Sequence, residues 1–219
     1  MQSVRTLSIL IAVIAAGFTS AAQEPLDSLK DVARRNGGTI SSKIDGEFPL
    51  MSLRELAQAA DLIIRGRLTT MTMHLSDDES TIFRDFTVTP MVIFKQPPEL
   101  LHATRPGPLP ALTLRMIGGT IVVDGLTLRM STNWEDRETP MEPGQDYFLF
   151  LSRALPSRST TMSTGPGVYQ LWSAFGGAYP IRDGKVGNFT KRVAQRTDRN
   201  TDDPNAFAAL IRDFAKPTK

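Results

Sequence analysis

The chain of 219 residues contains no cysteine and only two histidines, His74 and His102. The lack of cysteine excludes disulfides, zinc–thiolate sites, iron–sulfur clusters and a cysteine nucleophile. Two histidines are too few for a three-histidine metal site. The formal net charge is only +2, and no basic block with interleaved aromatic residues is present, so the sequence lacks the charge pattern of a nucleic-acid-binding protein.

Long apolar runs are also absent, and the most apolar segment lies near the N-terminus. Arg5 gives a positive start, Leu7–Gly17 is an apolar run of 11 residues, and Ser20–Ala22 supplies small residues for a signal peptidase. Because a membrane-spanning helix needs about 20 apolar residues, this pattern predicts a signal peptide over 1–22, cleaved after Ala22. A retained N-terminal anchor is the alternative. Export without cysteine favours a bacterial periplasmic or extracellular protein.

The rest of the chain divides into a lead-in, a β-rich domain, a linker and a C-terminal helix. Paired glycines and serines in 23–50 predict a loose lead-in, with at most one helical turn near Leu26–Ala33. A capping box, Ser52 to Glu55, predicts a short helix over Leu53–Ala60. This helix precedes a β-barrel domain, and the two together span 51–190. Residues 191–203 form a linker, and Asp203 before a proline predicts a helix over 204–215.

The strand predictions depend on alternating apolar residues and on turn residues. Leu62–Leu75 and a second run from Thr81 flank the polar segment Ser76–Ser80, which predicts a long hairpin. Pro90 falls within the second run and must therefore lie at an edge or a bulge. Asp124–Gly125 predicts a tight hairpin turn because both residues accept positive φ. Further strands are predicted over Ala111–Met116, Thr120–Val123, Leu126–Met130, Asp146–Leu151, Val168–Trp172 and Ala178–Arg182.

Three motifs in this region carry a family resemblance. They are Ala60–Leu68 (A-D-L-I-I-R-G-R-L), the pair Gly118–Gly119 after a strand, and Gly144–Leu151 (G-Q-D-Y-F-L-F-L). They resemble motifs of a family of exported, largely uncharacterised bacterial proteins, and loosely those of netrin-like modules, the domain of tissue metalloproteinase inhibitors. The resemblance covers about 53–190 and implies a five-stranded barrel of oligomer-binding type that binds proteins. Those inhibitors ligate zinc through an N-terminal cysteine, which is absent here, so their mechanism is not implied.

We therefore expect a mainly β fold, an oligomer-binding-type barrel with a short preceding helix and a C-terminal helix. The expected function is a non-enzymatic exported protein-interaction module, adaptor or inhibitor-like, whose partner is another exported protein. No nucleic acid, no cofactor and no transmembrane segment in the mature chain are expected. Barrels of this kind bind through rim loops, for which the candidates are Ser76–Ser80, Pro97–Pro110 and Ser131–Pro143. Trp134, in the last of these, is a residue type favoured as an interface anchor.

Two alternatives remain open at this point. A barrel binding a small apolar ligand or lipid is one, since 11 phenylalanines and nine methionines could line it. A hydrolase or metal site is the other, because His74 with Asp77, Asp78 and Glu79 combines metal-ligand residue types. An acidic hairpin tip is also ordinary turn chemistry. No catalytic residue, cofactor-binding residue or metal ligand is assigned from the sequence.

Overall fold

A computed structural model describes residues 27–44, 51–97, 110–132, 141–153, 167–171, 177–187 and 201–216. Within these ranges it contains three α-helices and ten β-strands. The helices are α1 (Leu29–Arg35), α2 (Leu53–Ala59) and α3 (Pro204–Phe214). The strands are β1 (Thr39–Ile44), β2 (Leu62–Leu75), β3 (Ile82–Lys95), β4 (Leu112–Ile117), β5 (Gly119–Val123), β6 (Leu126–Thr132), β7 (Asp146–Arg153), β8 (Val168–Leu171), β9 (Ala178–Arg182) and β10 (Lys185–Val186). The predicted mainly β class is confirmed, and no described helix is long and apolar enough to cross a membrane.

The strands form two sheets. The larger sheet has seven strands in the order β10-β9-β7-β2-β3-β4-β8, and β7 also pairs with β8. The pairings β2-β3-β4-β8-β7 therefore return to β2 as a ring of five strands. In this ring β4 and β8 are parallel, and the other neighbours are antiparallel. The smaller sheet has the order β1-β6-β5, in which β1 is parallel to β6.

The apolar runs of β2 and β7 are explained by burial on both faces. Ile64 and Leu149 belong to a cluster formed by the ring strands. Ile63 and Phe148 point to the opposite face, where they pack with α2 and α3. The ring of Phe207 on α3 lies 4.9 Å from that of Phe148 in an edge-on arrangement. Since a strand covered on both faces gains from apolar residues at every position, these strands lack a clean alternation.

Local signals at the helix starts act as predicted. Ser52 Oγ accepts a hydrogen bond from Glu55 N at 3.2 Å, and Glu55 Oε2 accepts one from Ser52 N at 2.6 Å. Asp203 Oδ1 accepts from the amide of Ala206 at 2.8 Å, with proline at the first helical position. Each cap satisfies amides that the first helical turn leaves without a backbone partner.

The turns and bulges also follow local chemistry. Asp124 and Gly125 have φ of 52° and 74° in the β5–β6 turn, as a primed two-residue turn requires. Pro90 pairs with Gly66 next to a register shift, so it lies at a bulge, one of the two positions expected for it. A Cβ on Gly66 would lie 2.8 Å from Val88 Cγ1. Glycine is therefore required here by the close approach of β3.

The segment expected to be a loose lead-in holds more structure than one helical turn. It contains α1, capped by Ser28, and β1, which pairs with β6 from Thr39↔Thr127 to Ile44↔Thr132. Leu29 and Ala33 of α1 pack in a third cluster with apolar residues of β6. Because the partner of β1 is distant in sequence and parallel, no local turn signal could indicate the pairing.

Several predictions concern residues outside the described ranges. They are the signal peptide 1–22, the linker up to residue 200, His102, Trp134, Trp172, and most of the loops Pro97–Pro110 and Ser131–Pro143. The hairpin tip Ser76–Ser80 is the one candidate rim loop that lies wholly within the described ranges.

Candidate functional site

The long β2–β3 hairpin has two halves with different surroundings. Each strand has 14 residues. Residues 62–67 of β2 pair with β7, and residues 83–88 of β3 pair with β4. The second half of β3, residues 89–95, has β2 as its one strand neighbour among the described residues. This half of β3 therefore has an open side within the described part of the chain.

Three consecutive apolar side chains are exposed on that half of β3. Met91, Val92 and Ile93 are 51%, 36% and 41% exposed, and we call Met91–Ile93 the β3 strip. Register shifts between Ile63 and Ile64 and between Arg65 and Gly66 interrupt the pairing beside the strip. Such bulges disturb the alternation that would otherwise turn every second side chain inward. Three exposed apolar side chains therefore follow one another along this half-strand, and exposed apolar groups that cluster in soluble proteins are characteristic of binding sites.

Positive charge borders the β3 strip. Val92 pairs across the sheet with Arg65. Arg65 Nη2 and Arg67 Nε both donate to Asp146, at 3.2 and 2.7 Å. Burial acts to raise the pKa of Asp146, but hydrogen bonds from Arg67 and Arg65 outweigh it and hold the pKa below its ordinary value. Among the described residues, one carboxylate pairs with both guanidinium groups, so this border carries a surplus of positive charge.

The far end of β3 is fixed to helix α2 by Lys95. Its Nζ donates to the carbonyl oxygens of Ala57 and Gln58 at 3.2 and 2.7 Å. A cation is favoured at this position because the last carbonyls of a helix lack intrahelical donors. Burial lowers the pKa of Lys95. These bonds hold the strand that presents the β3 strip against the body of the domain.

The predicted rim loop Ser76–Ser80 is a compact turn tied to its neighbours. Asp78 Oδ1 accepts from the amide and hydroxyl of Ser80 at 3.1 and 2.8 Å. The hydroxyl of Ser76, followed by the groups of Ser80, outweighs burial and lowers the pKa of Asp78. Glu79 has a φ of 55° and its carboxylate lies 2.8 Å from Lys30 Nζ on α1. In the acidic tip, Asp78 therefore stabilises the turn and Glu79 attaches it to α1.

His74 contacts Asp85 on β3, not the carboxylates of the neighbouring acidic tip. Its Nε2 lies 3.0 Å from Asp85 Oδ2 and its Nδ1 lies 3.0 Å from the carbonyl oxygen of Leu75. Arg115 Nε and Nη2 bind the same Asp85 carboxylate at 2.9 and 2.7 Å. Among the described residues, no group of three histidine or acidic side chains is placed to hold a metal ion. The structure therefore does not gather His74, Asp77 and their neighbours into one site.

The Asp85 cluster was not indicated by the sequence pattern. Asp85 pairs across the sheet with Thr72 on one side and with Arg115 on the other. Burial acts to raise the pKa of Asp85, but hydrogen bonds from Arg115 and His74 outweigh it and hold the pKa below its ordinary value. Only the strand register brings these opposite charges together. In the sequence, the one indication of this cluster is that each of the three strands carries an ionisable residue among its alternating side chains: His74, Asp85 and Arg115.

Comparison with known proteins assigns no family: no family model matches the chain, and no curated protein matches it in sequence. In the structure, Ala60–Leu68 runs from the end of α2 into β2, and Gly118–Gly119 joins β4 to β5. Gly144–Leu151 leads into β7. The first and third of these motifs pair directly with each other, from Leu62↔Leu151 to Arg67↔Asp146.

Proposed function

We propose that this chain is a non-enzymatic exported protein-interaction module, adaptor or inhibitor-like, which binds another exported protein through the β3 strip. The proposal rests on three consecutive exposed apolar side chains, Met91–Ile93, on a half-strand with one described strand neighbour. Apolar surface of this kind, bordered by Arg65 and Arg67, has the composition of an interface core with a charged rim.

The strand pairings support a barrel of oligomer-binding type as the scaffold. Strands β2, β3, β4, β7 and β8 pair in a closed order, with one parallel pair between β4 and β8. The cluster formed by the ring strands, which includes Phe86 and Tyr147, consists of side chains that are almost wholly buried and pack against one another. A five-stranded barrel filled in this way binds through its outer strands and loops.

The signal-peptide pattern over 1–22 supports export to the periplasm or the extracellular space. The mature protein then begins at Gln23. N-terminal sequencing of the protein recovered from the exported fraction tests this step. Recovery of the chain inside the cell with Met1 or Gln2 at its N-terminus would contradict it.

Site-specific photo-crosslinking tests the binding surface. A photoreactive amino acid replaces Val92 in one variant and Val122 in a control variant, because Val122 is 73% exposed on β5, outside the β3 strip. We expect one defined adduct with another exported protein at position 92 and no such adduct at position 122. Equal labelling at both positions, or no adduct at position 92, would refute the proposed surface.

The surplus charge beside the β3 strip supports a partner that presents acidic residues next to apolar ones. Arg67→Ser removes a side chain that is 53% exposed. We expect this variant to bind its partner more slowly and with less dependence on salt, since a rim charge acts mainly on association. Val92→Lys should instead speed dissociation, because it places a charge inside the apolar contact. Surface plasmon resonance with the crosslinked partner separates the two effects.

A further inference from the structure

Arg84 occupies an unusual position on β3. It lies between Ile82 and Phe86, at alternate positions of the strand whose other members are almost wholly buried. Its neighbours across the sheet are Met73 on β2 and Met116 on β4. Its Nε and Nη2 atoms are buried and have no hydrogen-bond partner within the structure. Two nitrogens of this half-buried side chain therefore lie beside apolar residues without a described counter-ion.

Two other partly buried arginines of the sheet form ion pairs. Arg115 makes two hydrogen bonds to Asp85, and Arg65 binds Asp146 through Nη2. Arg84 makes no such ion pair among the described residues. A guanidinium cannot lose its charge at any pH that a folded protein tolerates. Burial without a partner is therefore a cost to folding that methionine at the same position would avoid.

Gly119 shapes the surroundings of Arg84. It has a φ of +137°, and a Cβ there would lie 2.9 Å from Met73 Sδ and 3.4 Å from Arg84 Cγ. Glycine thus allows the start of β5 to lie directly against the stem of Arg84 and against Met73. Met73 and Met116 are half-buried, and Met71, two residues before Met73, is 41% exposed. Met73 and Met116 therefore flank the half-buried Arg84 across the sheet, and Met71 follows on the same face of β2 as Met73.

We propose that Arg84 is the binding point for an amphiphilic anion. The oxyanion head group pairs with the buried guanidinium nitrogens, and the apolar body lies against Met71, Met73 and Met116. The planar fork of arginine matches the two oxygens of a carboxylate or a phosphate. Methionine side chains adapt to irregular apolar ligands. This site lies on the first half of β3, whereas the β3 strip lies on the second half.

The test uses the full mature chain labelled with ¹³C at its methionine methyl groups. Four probes are added below the concentration at which micelles form: dodecanoate, dodecyl phosphate, dodecanol and sulfate. We expect the methyl signals of Met73 and Met116 to shift with dodecanoate or dodecyl phosphate, while Met51, which packs in the helix cluster, stays unchanged. Dodecanol, which has no anionic head group, and sulfate, which has no apolar chain, should each need at least about tenfold higher concentration to produce the same shifts. Whichever of dodecanoate and dodecyl phosphate binds with the higher affinity shows whether the site prefers a carboxylate or a phosphate head group.

Variants separate binding at Arg84 from a general effect. Arg84→Met should fold with a Tm equal to or above that of the parent protein and should lose at least about tenfold in affinity. Arg129→Met, at an exposed position of β6, should bind as the parent does. If Arg84→Met does not fold, Arg84→Lys keeps the charge without the fork and should also bind more weakly. Unshifted Met73 and Met116 signals with both amphiphiles, or unchanged affinity in the folded Arg84 variant, would overturn the proposal.

Discussion

Replacing Asp85 with asparagine should destabilise the protein by about 2–3 kcal/mol at neutral pH. The side chains of Asp85 and Arg115 are 15% and 11% exposed, and two hydrogen bonds of 2.9 and 2.7 Å join them. Hydrogen bonds to charged groups contribute about 1.5–3 kcal/mol, and breaking a wholly buried pair costs about 3–5 kcal/mol. This pair is partly hydrated, so the lower range applies. The corresponding fall in Tm is about 4–12 °C for a chain of this size.

The effect should depend on pH in a defined direction. Burial acts to raise the pKa of Asp85, but hydrogen bonds from Arg115 and His74 outweigh it and hold the pKa below its ordinary value. A carboxylate whose pKa is lowered by folding stabilises the protein fully above its unfolded pKa, about 3.9. That stabilisation is lost as the pH falls through the lower, folded value. The difference between parent and Asp85→Asn should therefore be full at neutral pH and shrink as the pH falls below about 4.

Urea denaturation followed by circular dichroism, in a series from neutral to acidic pH, measures this difference. Asp31→Asn is the matched control, because Asp31 forms an exposed ion pair with Arg34 within α1, and such pairs contribute little. Equal denaturation midpoints for parent and Asp85→Asn at neutral pH would refute the reasoning. A difference that grows as the pH falls would refute it as well.

Three further substitutions test the packing and the caps by the same urea denaturation measurements. Phe207→Ala removes the buried ring that packs on Phe148 and should cost about 3–5 kcal/mol, whereas an unchanged midpoint would mean that α3 does not pack there. Gly66→Ala should cost about 1–3 kcal/mol because its Cβ would lie 2.8 Å from Val88 Cγ1, and a neutral result would contradict the close approach. Ser52→Ala removes the cap of α2 and should cost about 1 kcal/mol, and stabilisation by this change would argue against the capping box.

Features that depend on a few neighbouring residues could be predicted from the sequence. Asp124–Gly125 adopts the positive φ values of a primed turn because aspartate and glycine tolerate that conformation wherever they occur. Ser52 caps α2 because its hydroxyl and the amide of Glu55 are only three residues apart. The bulge at Pro90 follows from the missing amide hydrogen of proline. Each of these signals involves residues that are only a few positions apart in the chain.

The candidate surfaces required the register of distant strands. The β3 strip lies beside the register shifts at Gly66, on a half-strand with one described strand neighbour, and the letters M-V-I alone do not distinguish it from a buried strand. His74 meets Asp85 rather than the adjacent acidic tip, because the hairpin register places them on neighbouring strands.

Composition, local turn chemistry and apolar periodicity by themselves determined the mainly β class, the hairpins and the helix caps, since each depends on residues close together in the chain. Tertiary structure alone decided the parallel pairing of β1 with β6, the closed order of the ring, and the position of Arg84 between Met73 and Met116. These features depend on which distant strands become neighbours. The pairing of distant strands is determined by the packing of whole sheet and helix faces against one another, so it cannot be predicted from any short stretch of sequence.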